Sequence, residues 1–282
     1  MLTIFACPKP FRDPHIAMIQ RNAIRSWTLL TPTPEIVLFG DEEGLEQAAR
    51  ELGVAHRRDI PRNANGVPLL NGVFHAAEAH AASHVLAYVN ADIVLMNDFM
   101  EAVTGVCRSA RPFMMGGRPW DVAITSPLSF DSGWEDWLRE QVQARGRLRG
   151  MNACDYFVFP RGFWGEIPPL TLGRPYFDNY LMYRCRRAGG RLIDATRGVM
   201  AVHQSHPYHA GASDSAHMDT QEAAENYRLA GGRRGLCSWW HATHRWTARG
   251  LQSDWRGRLR FWYPDALLGT PWHRKEFENG PR

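Results

Sequence analysis

At 282 residues with 44% hydrophobic content, the chain can bury a sizeable core as one large domain or as one domain with an appendage, and wholesale disorder is excluded. No apolar run approaches the ~18 residues needed to span a bilayer. The opening segment Met1-Leu-Thr-Ile-Phe-Ala-Cys7 is short and lacks the basic start of a secretory signal, so cytoplasmic residence is expected. The formal net charge of +4 is modest but unevenly placed: Arg233 to Trp262 holds seven arginines and one acid, Asp254.

The five cysteines, Cys7, Cys107, Cys154, Cys185 and Cys237, are odd in number, widely spaced and form no Cys-x-x-Cys pair. That pattern suggests neither a zinc knuckle nor a disulfide framework, and it reads as buried thiols. Lysine occurs only at Lys9 and Lys275, and the Arg, Ala and Gly content fits a GC-rich, bacterial coding sequence.

In chain order the first half alternates short apolar strands with helical segments. Leu2–Cys7 reads as a strand, Ile16–Leu30 as a helix, Glu35–Phe39 as a strand, Gly44–Leu52 as a helix and Val54–Arg57 as a strand. A helix over Leu69–Ala82 and a strand ending before Asn90 follow. This β-α-β-α order predicts a mostly parallel sheet with helices on both faces. Ligands of such sheets gather at the carboxyl ends of the strands. Lys9, Phe11, Asp41, Asn90 and Asp92 all fall on that edge. No Gly-x-Gly-x-x-Gly or Walker-type loop follows any strand, so an ordinary dinucleotide site or P-loop is not supported.

Farther on, Phe113–Gly117 reads as a strand, Gly133–Arg145 as a helix and Asp155-Tyr-Phe-Val-Phe159 as a strand. The segment from Pro175 carries apolar residues at Tyr176, Phe177, Tyr180, Leu181 and Cys185 and ends in Gly189-Gly190, a helix with a glycine stop and Asp178 in its first turn. Arg191–Ala195 and Val199–His203 are expected to complete the sheet, followed by a histidine-rich loop.

The run His84-Val-Leu-Ala-Tyr-Val-Asn-Ala-Asp-Ile-Val-Leu95 stands out. It reads as a buried strand broken at Asn90-Ala-Asp92, and an unpaired ionised Asp there would cost several kcal/mol, on the order of a buried charge. A cation, an Arg or a hydrogen-bond network must meet Asp92. Oxygen ligands suit Mg²⁺ or Mn²⁺, which keep open positions for phosphates. The bland alternative is a strand end whose Asp caps the next turn.

This Asn-Ala-Asp step resembles the Asp-x-Asp step of nucleotide-sugar-dependent glycosyltransferases of the GT-A fold, with Asn90 where the first Asp usually stands. With the order of the strands, the acid-bearing helix and the late histidine, the resemblance covers roughly residues 1–210 and is to family 2-like bacterial members. It implies a Rossmann-like α/β GT-A domain over residues 1–230, with a basic, Trp-rich helical extension over 231–282. It further implies Lys9, Phe11 and Asp41 near the base and ribose of the donor, with Asn71 and Asn90 nearby. Asp92 would sit on a diphosphate bridged by Mn²⁺ or Mg²⁺, and His203 would be the late metal ligand. Asp178 would be the catalytic carboxylate, a general base or a group near the reacting carbon. Trp120, Asp121 and Asp155 are candidate acceptor and sugar binders, since carboxylates accept hydrogen bonds from hydroxyls and an aromatic face covers the apolar side of a pyranose.

Each residue has a plainer reading: Asp178 as an ordinary acid at a helix N-terminus, Asp41 as a helix cap, Lys9 as a surface lysine. The tract His203-Gln-Ser-His206-Pro-Tyr-His209 also invites a zinc site, but Pro207 and Gly211 oppose a regular helix that would align the three rings.

Five of the eleven tryptophans, Trp239, Trp240, Trp246, Trp255 and Trp262, are interleaved with the C-terminal arginines. Leu251, Trp255, Leu259 and Trp262 form one helical stripe. Such a helix can pack on the domain with its arginines covering the edge, or lie on an anionic membrane surface as a peripheral contact to the inner membrane. No nucleic acid is expected as partner, because no recognisable binding motif accompanies the basic segment.

The expected activity is transfer of a sugar from a nucleotide-sugar donor to a hydroxyl of a saccharide, a lipid-linked glycan or a small molecule. The rivals are a non-catalytic nucleotide- or glycan-binding module on a degenerate transferase scaffold, and a metal hydrolase built on the histidine tract.

Overall fold

The computed structural model describes residues 2–108, 112–206 and 220–262. In chain order the elements are β1 (Leu2–Ala6), α1 (Pro14–Thr28), β2 (Glu35–Phe39), α2 (Leu45–Leu52), β3 (Ala55–Arg57), α3 (Leu70–His80), β4 (Val85–Val89) and β5 (Ile93–Val94). Then come α4 (Asn97–Cys107), β6 (Phe113–Gly116), β7 (Trp120–Val122), α5 (Trp134–Arg145), β8 (Arg147–Leu148), β9 (Tyr156–Pro160) and α6 (Phe177–Arg187). The chain continues through β10 (Arg191–Asp194), β11 (Val202–Gln204), α7 (Gln221–Leu229), two 3-10 turns at Gly232–Gly235 and Trp239–His241, β12 (His244–Thr247), β13 (Gly250–Ser253) and α8 (Trp255–Trp262).

Nine strands form one sheet in the order β13-β12-β10-β6-β9-β4-β1-β2-β3. β9 runs antiparallel to both β4 and β6, and β13 antiparallel to β12, while the other neighbours are parallel. The mostly parallel sheet expected from the β-α-β order is therefore present. Along β1 the side chains alternate between two cores: Phe5 joins Phe74, Phe157, Leu181 and Leu192, whereas Leu2, Ile4 and Ala6 join Ile24, Trp27, Phe99 and Val103. Helices α3 and α6 cover the first face and α1, α2 and α4 the second.

Local chemistry sets the helix ends. Asp13 accepts a hydrogen bond from the Ile16 amide at 2.9 Å and Pro14 opens α1, so one orphan amide is satisfied and the first φ is already helical. Trp27 of α1 is fully buried and donates Nε1–H to the Ile93 carbonyl at 2.9 Å. Truncating such a residue to Ala costs about 3–5 kcal/mol.

Three sequence expectations change. The apolar run from His84 to Leu95 is not one strand: β4 lies in the main sheet, whereas β5 belongs to a second, four-stranded sheet of order β5-β11-β7-β8. Asn90-Ala91-Asp92 is the crossing between the two sheets. The segment ending at His203 likewise does not complete the main sheet, since β11 pairs with β5 and β7. At the other end, Leu251 belongs to β13 and not to the C-terminal helix, because the Asp254 carboxylate accepts from the Arg256 amide at 3.0 Å and starts the helix after it. Among the described residues no helix is long and apolar enough to cross a membrane.

Candidate functional site

A cleft of about 690 Å³ opens over the carboxyl ends of β1, β2 and β4. Its walls include Lys9, Asp41, Asn90, Asp92, Asp155 and His203. These six positions, picked from the sequence as far apart as Lys9 and His203, thus meet around one space. Sheet topology accounts for this, because β1 and β4 are adjacent and parallel, so the loops after them emerge side by side.

Asp92 is the centre of the polar chemistry. Its Oδ2 lies 3.0 Å from His206 Nε2 and 3.7 Å from His203 Nε2, while Oδ1 is buried with no hydrogen-bond partner. One ligand atom each from Asp92, His203 and His206 fall within 4.8 Å of one another. A buried carboxylate with one oxygen toward two imidazoles and the other orphaned is a donor set that a divalent cation would satisfy. Burial pushes the Asp92 carboxyl upward, but His203, the His206 hydrogen bond and Lys9 outweigh it and hold it well below the usual carboxylate range.

The backbone around Asp92 is pinned from β11. Gln204, fully buried, donates from its backbone amide and from its side chain to the Asp92 carbonyl at 3.2 and 3.1 Å, and its side chain also reaches the Ile19 carbonyl at 2.7 Å. Asn22 in turn donates to Gln204 Oε1 at 2.9 Å. The metal candidates on β11 and on the β4–β5 crossing are therefore held at fixed relative positions.

A second chain of contacts runs through Arg149. Its guanidinium donates to Asp121 Oδ1 at 2.8 Å and to Asp155 Oδ2 at 3.0 Å, and Asp121 Oδ1 also lies 2.8 Å from His203 Nδ1. Asp121 is held down at about 2: burial raises it, and the His203 hydrogen bond and the Arg149 charge more than offset that. Asn90 donates its side-chain amide to Asp155 Oδ1 at 3.0 Å, and its backbone amide to the Asp155 carbonyl at 2.9 Å. An Asp at position 90 would set two carboxylates against each other; the neutral amide turns that contact into a hydrogen bond. The departure from an acidic pair therefore has a local cause.

Asp178 does not line the cleft. It occupies the first turn of α6, and its carboxyl is raised to about 7, chiefly by burial, with the Asp155 charge adding to the shift. It lies within electrostatic reach of Asp155 and of Tyr88, both of which do line the cleft. The turn before it holds Tyr176 at φ +80°, a left-handed conformation that costs a non-glycine residue on the order of 1 kcal/mol or more and persists only where packing enforces it. Tyr176 is buried against Tyr227 at 5.2 Å between ring centroids.

Other sequence candidates sit elsewhere. Phe11 packs under Arg21, 5.1 Å from its guanidinium carbon, beside the turn at Gly44. Asn71 lines a separate cavity of about 360 Å³ with Phe74, Glu78 and Trp164. Trp120 is half-buried on β7, paired across to Leu148. Asp121 faces His203 and Arg149 and does not line the cleft.

Sequence reasoning missed several residues. His206 was visible three residues beyond His203, in the same tract, but entered only as part of a zinc reading that needed His209, which lies outside the described residues. Arg149 gave no signal, because its place beside Asp121 depends on the β7–β8 pairing. Arg62, which bridges Asp41 at 2.5 Å and Glu42 at 2.9 Å, and Arg174, tied to Glu222 at 2.9 Å, also line the cleft without a sequence motif. Lys9 is exposed at the cleft wall, where desolvation lowers its ammonium and the Asp92 charge pulls it back upward. Its backbone amide and carbonyl both bond the Gln20 side chain, at 2.6 and 2.9 Å, which fixes the loop after β1.

No protein-family model matches the sequence, and no curated protein matches it. Solved structures do. The chain is similar to GalNAc-T7 with UDP, GalNAc and Mn²⁺ at a TM-score of 0.51 and 13% identity, over 82% of this chain and 48% of that one. It is also similar to glucosyl-3-phosphoglycerate synthase from Mycobacterium tuberculosis in complex with Mn²⁺, UDP and phosphoglyceric acid, at 0.49 and 12%, over 82% and 79% of the two chains. A third is the mannosyltransferase PcManGT from Pyrobaculum calidifontis in complex with GDP-Man and Mn²⁺, at 0.49 and 14%, over 81% and 63%. The likeness to GalNAc-T7 shows the fold: this chain has the GT-A architecture expected from its sequence.

Proposed function

We propose that the protein is a metal-assisted glycosyltransferase that moves a sugar from a nucleotide-sugar donor to an acceptor hydroxyl. The observation that carries this reading is the Asp92 carboxylate, with one oxygen toward His203 and His206 and the other buried without a hydrogen-bond partner, at the edge of a GT-A sheet. The fold by itself would not suffice, since one fold hosts many activities. The structural neighbours crystallised with UDP or GDP-Man and Mn²⁺ point the same way.

Asp92, His203 and His206 would hold the cation, which when bound would neutralise the diphosphate as it leaves. One carboxylate with two imidazoles is a softer set than the all-oxygen shell that Mg²⁺ prefers, so Mn²⁺ is the better fit of the two. Lys9 and Arg174 also line the cleft and offer positive charge for the same phosphates. Asp41, Arg62 and Glu42 line the part of the cleft beyond β2, where the nucleoside would lie. Asn90 stays bonded to Asp155 and shapes the floor between nucleotide and acceptor. Phe11 and Asn71 would act from outside the cleft wall, through the loop after β1 and the start of α3.

Asp178 is assigned as the carboxylate at the reacting centre. Held at about 7, it can take the proton of an attacking hydroxyl near neutral pH, provided substrate binding brings that hydroxyl within hydrogen-bond reach. Asp155, Trp120 and Asp121 belong to the acceptor side, with Asp121 acting through His203 and Arg149. A saccharide, a lipid-linked glycan and a small metabolite all present the hydroxyl that this chemistry needs.

The test is calorimetric titration of purified protein with UDP, GDP, dTDP and CDP, first with Mn²⁺ and then with excess chelator, followed by assay of sugar release from the matching donor. Selective, metal-dependent binding of one nucleotide with slow donor hydrolysis is expected. Failure of every nucleotide to bind would overturn the assignment.

A further inference from the structure

The C-terminal helix α8 carries two faces of opposite character. Its inner face is defined by Gly257, whose missing side chain lets the helix rest on the chain at His241 and Ala242: a Cβ there would come within 1.8 Å of the Ala242 carbonyl oxygen. Phe261 and Arg260 complete that face. The Phe261 ring stands 6.2 Å from Tyr183 and 4.6 Å from the Arg186 guanidinium carbon, and Arg260 sits 4.8 Å from the Trp240 ring. The outer face holds Trp255, Arg258, Leu259 and Trp262, one helical stripe. The two tryptophans are 61% and 63% exposed, and with Trp137 they are the large apolar residues most exposed among those described. The stripe that the sequence offers as a core-facing surface is thus turned outward.

The charge around this face is unbalanced. Arg245 pairs with Asp254 at 2.8 Å, but Arg256 and Arg258 have no acidic partner among the described residues. Arg256 stacks instead 5.6 Å from the Trp255 ring. Beneath the helix, Arg186 is 8% exposed, its Nε has no hydrogen-bond partner, and no carboxylate faces it. His244, beside it, is lowered to about 4, first by burial and then by Arg191, Arg258 and Arg186, which reports a positive field with no compensating acid.

We propose that α8 docks the protein on an anionic phospholipid surface, with Trp255 and Trp262 entering the headgroup layer and Arg256 and Arg258 meeting lipid phosphates. Tryptophan favours the membrane–water interface, and each arginine near an anionic leaflet adds on the order of 1 kcal/mol. Arginine and tryptophan also suit single-stranded nucleic acid, but that binding needs a groove that tracks the strand. Here the residues stand on an exposed helix, and neither the cleft nor the cavity at Asn71 reaches them. A planar surface fits this shape. No residue of α8 lines the cleft, so docking leaves the cleft open, and the inference does not depend on the reaction assigned to it.

The test is co-sedimentation of the full chain with vesicles of phosphatidylcholine alone and of phosphatidylcholine with about a third phosphatidylglycerol, an anionic content of the kind that attracts basic helices. Binding to the anionic vesicles only is expected, weakened by high salt and accompanied by a blue shift of tryptophan emission. The double variant W255S/W262S and the double variant R256Q/R258Q should each lower the partition coefficient roughly tenfold or more. These side chains are exposed, so the variants should keep the wild-type melting temperature. Absence of binding to anionic vesicles, or undiminished binding by both variants, overturns the proposal. So does tighter binding of a single-stranded oligonucleotide that both variants abolish.

Discussion

His203 Nδ1 lies 2.8 Å from Asp121 Oδ1, and this contact decides which ring nitrogen faces Asp92. Arg149 Nη2, a donor only, also lies 3.0 Å from the same Nδ1, while Arg149 Nε and Nη1 donate to Asp121 and Asp155; of the two neighbours of Nδ1, only the closer Asp121 carboxylate can accept a proton from it. With the Nδ1 proton directed to Asp121, Nε2 presents its lone pair on the Asp92 side, the arrangement a metal-ligating histidine needs. Replacing Asp121 with Asn should lower Mn²⁺ affinity about 10–100-fold, the usual cost of losing a carboxylate behind a ligating histidine. Calorimetric Mn²⁺ titration in the presence of the preferred nucleotide reads this directly. Unchanged affinity would remove Asp121 from the positioning role.

Removing the carboxylate itself goes further. Asp92→Ala should abolish metal-dependent nucleotide binding, and His206→Ala should weaken it by at least tenfold, because one of the three nitrogen and oxygen donors is lost. His206 is the sharper test, since its contribution does not follow from the Asn-Ala-Asp step. Wild-type Mn²⁺ dependence in His206→Ala would reduce the site to Asp92 and His203.

Asn90→Asp should fold less stably, because it places a second carboxylate 3.0 Å from Asp155 in place of a hydrogen bond. The expected loss is about 1–3 kcal/mol. It should be larger at pH 8 than at pH 5, since a proton shared by the pair relieves the repulsion at the lower pH. Thermal melts at both values decide it, and an equal shift at both would mean that repulsion is not the cause.

Asp178→Asn should keep nucleotide binding and lose turnover by at least about a hundredfold, as for a lost general base. Wild-type turnover should fall as pH drops through about 7, where the carboxylate takes up its proton. Stability runs the other way. The folded state binds this proton more tightly than the unfolded chain, whose value is near 3.8, so the stabilisation is complete below 3.8 and is lost as pH rises through about 7. In Asp178→Asn that loss disappears, and its melting temperature relative to wild type should rise between pH 4 and pH 8, roughly the window between the two values. A parallel pH dependence of the two proteins would contradict the buried acid.

Gly257→Ala should displace α8, because the new methyl meets a backbone oxygen that cannot rotate away. A cost of about 1–3 kcal/mol is expected, as for overpacking, with nucleotide binding in the cleft retained. Loss of nucleotide binding together with the melting shift would show that α8 and the cleft are coupled.

The sequence by itself determined the alternation of strands and helices and the edge on which the chemistry gathers. Apolar runs such as Ile36–Phe39 and Leu86–Val89 are local signals, each readable within a few residues. Hydrophobic patterning also made Asp92 conspicuous, since a lone acid in a buried run demands a partner. It could not name that partner. The tertiary structure alone placed β5, β11, β7 and β8 in a second sheet, which put His206 opposite Asp92 and Arg149 beside Asp121, and paired β9 with β4, which set Asp155 against Asn90. Most of these contacts join residues distant in the chain, and which strands become neighbours depends on the packing around them, beyond what each strand's own residues state. For the same reason the stripe of Trp255 and Trp262 could be read as amphipathic, but its direction was decided by Gly257, the residue small enough to let the opposite face of the helix approach the domain.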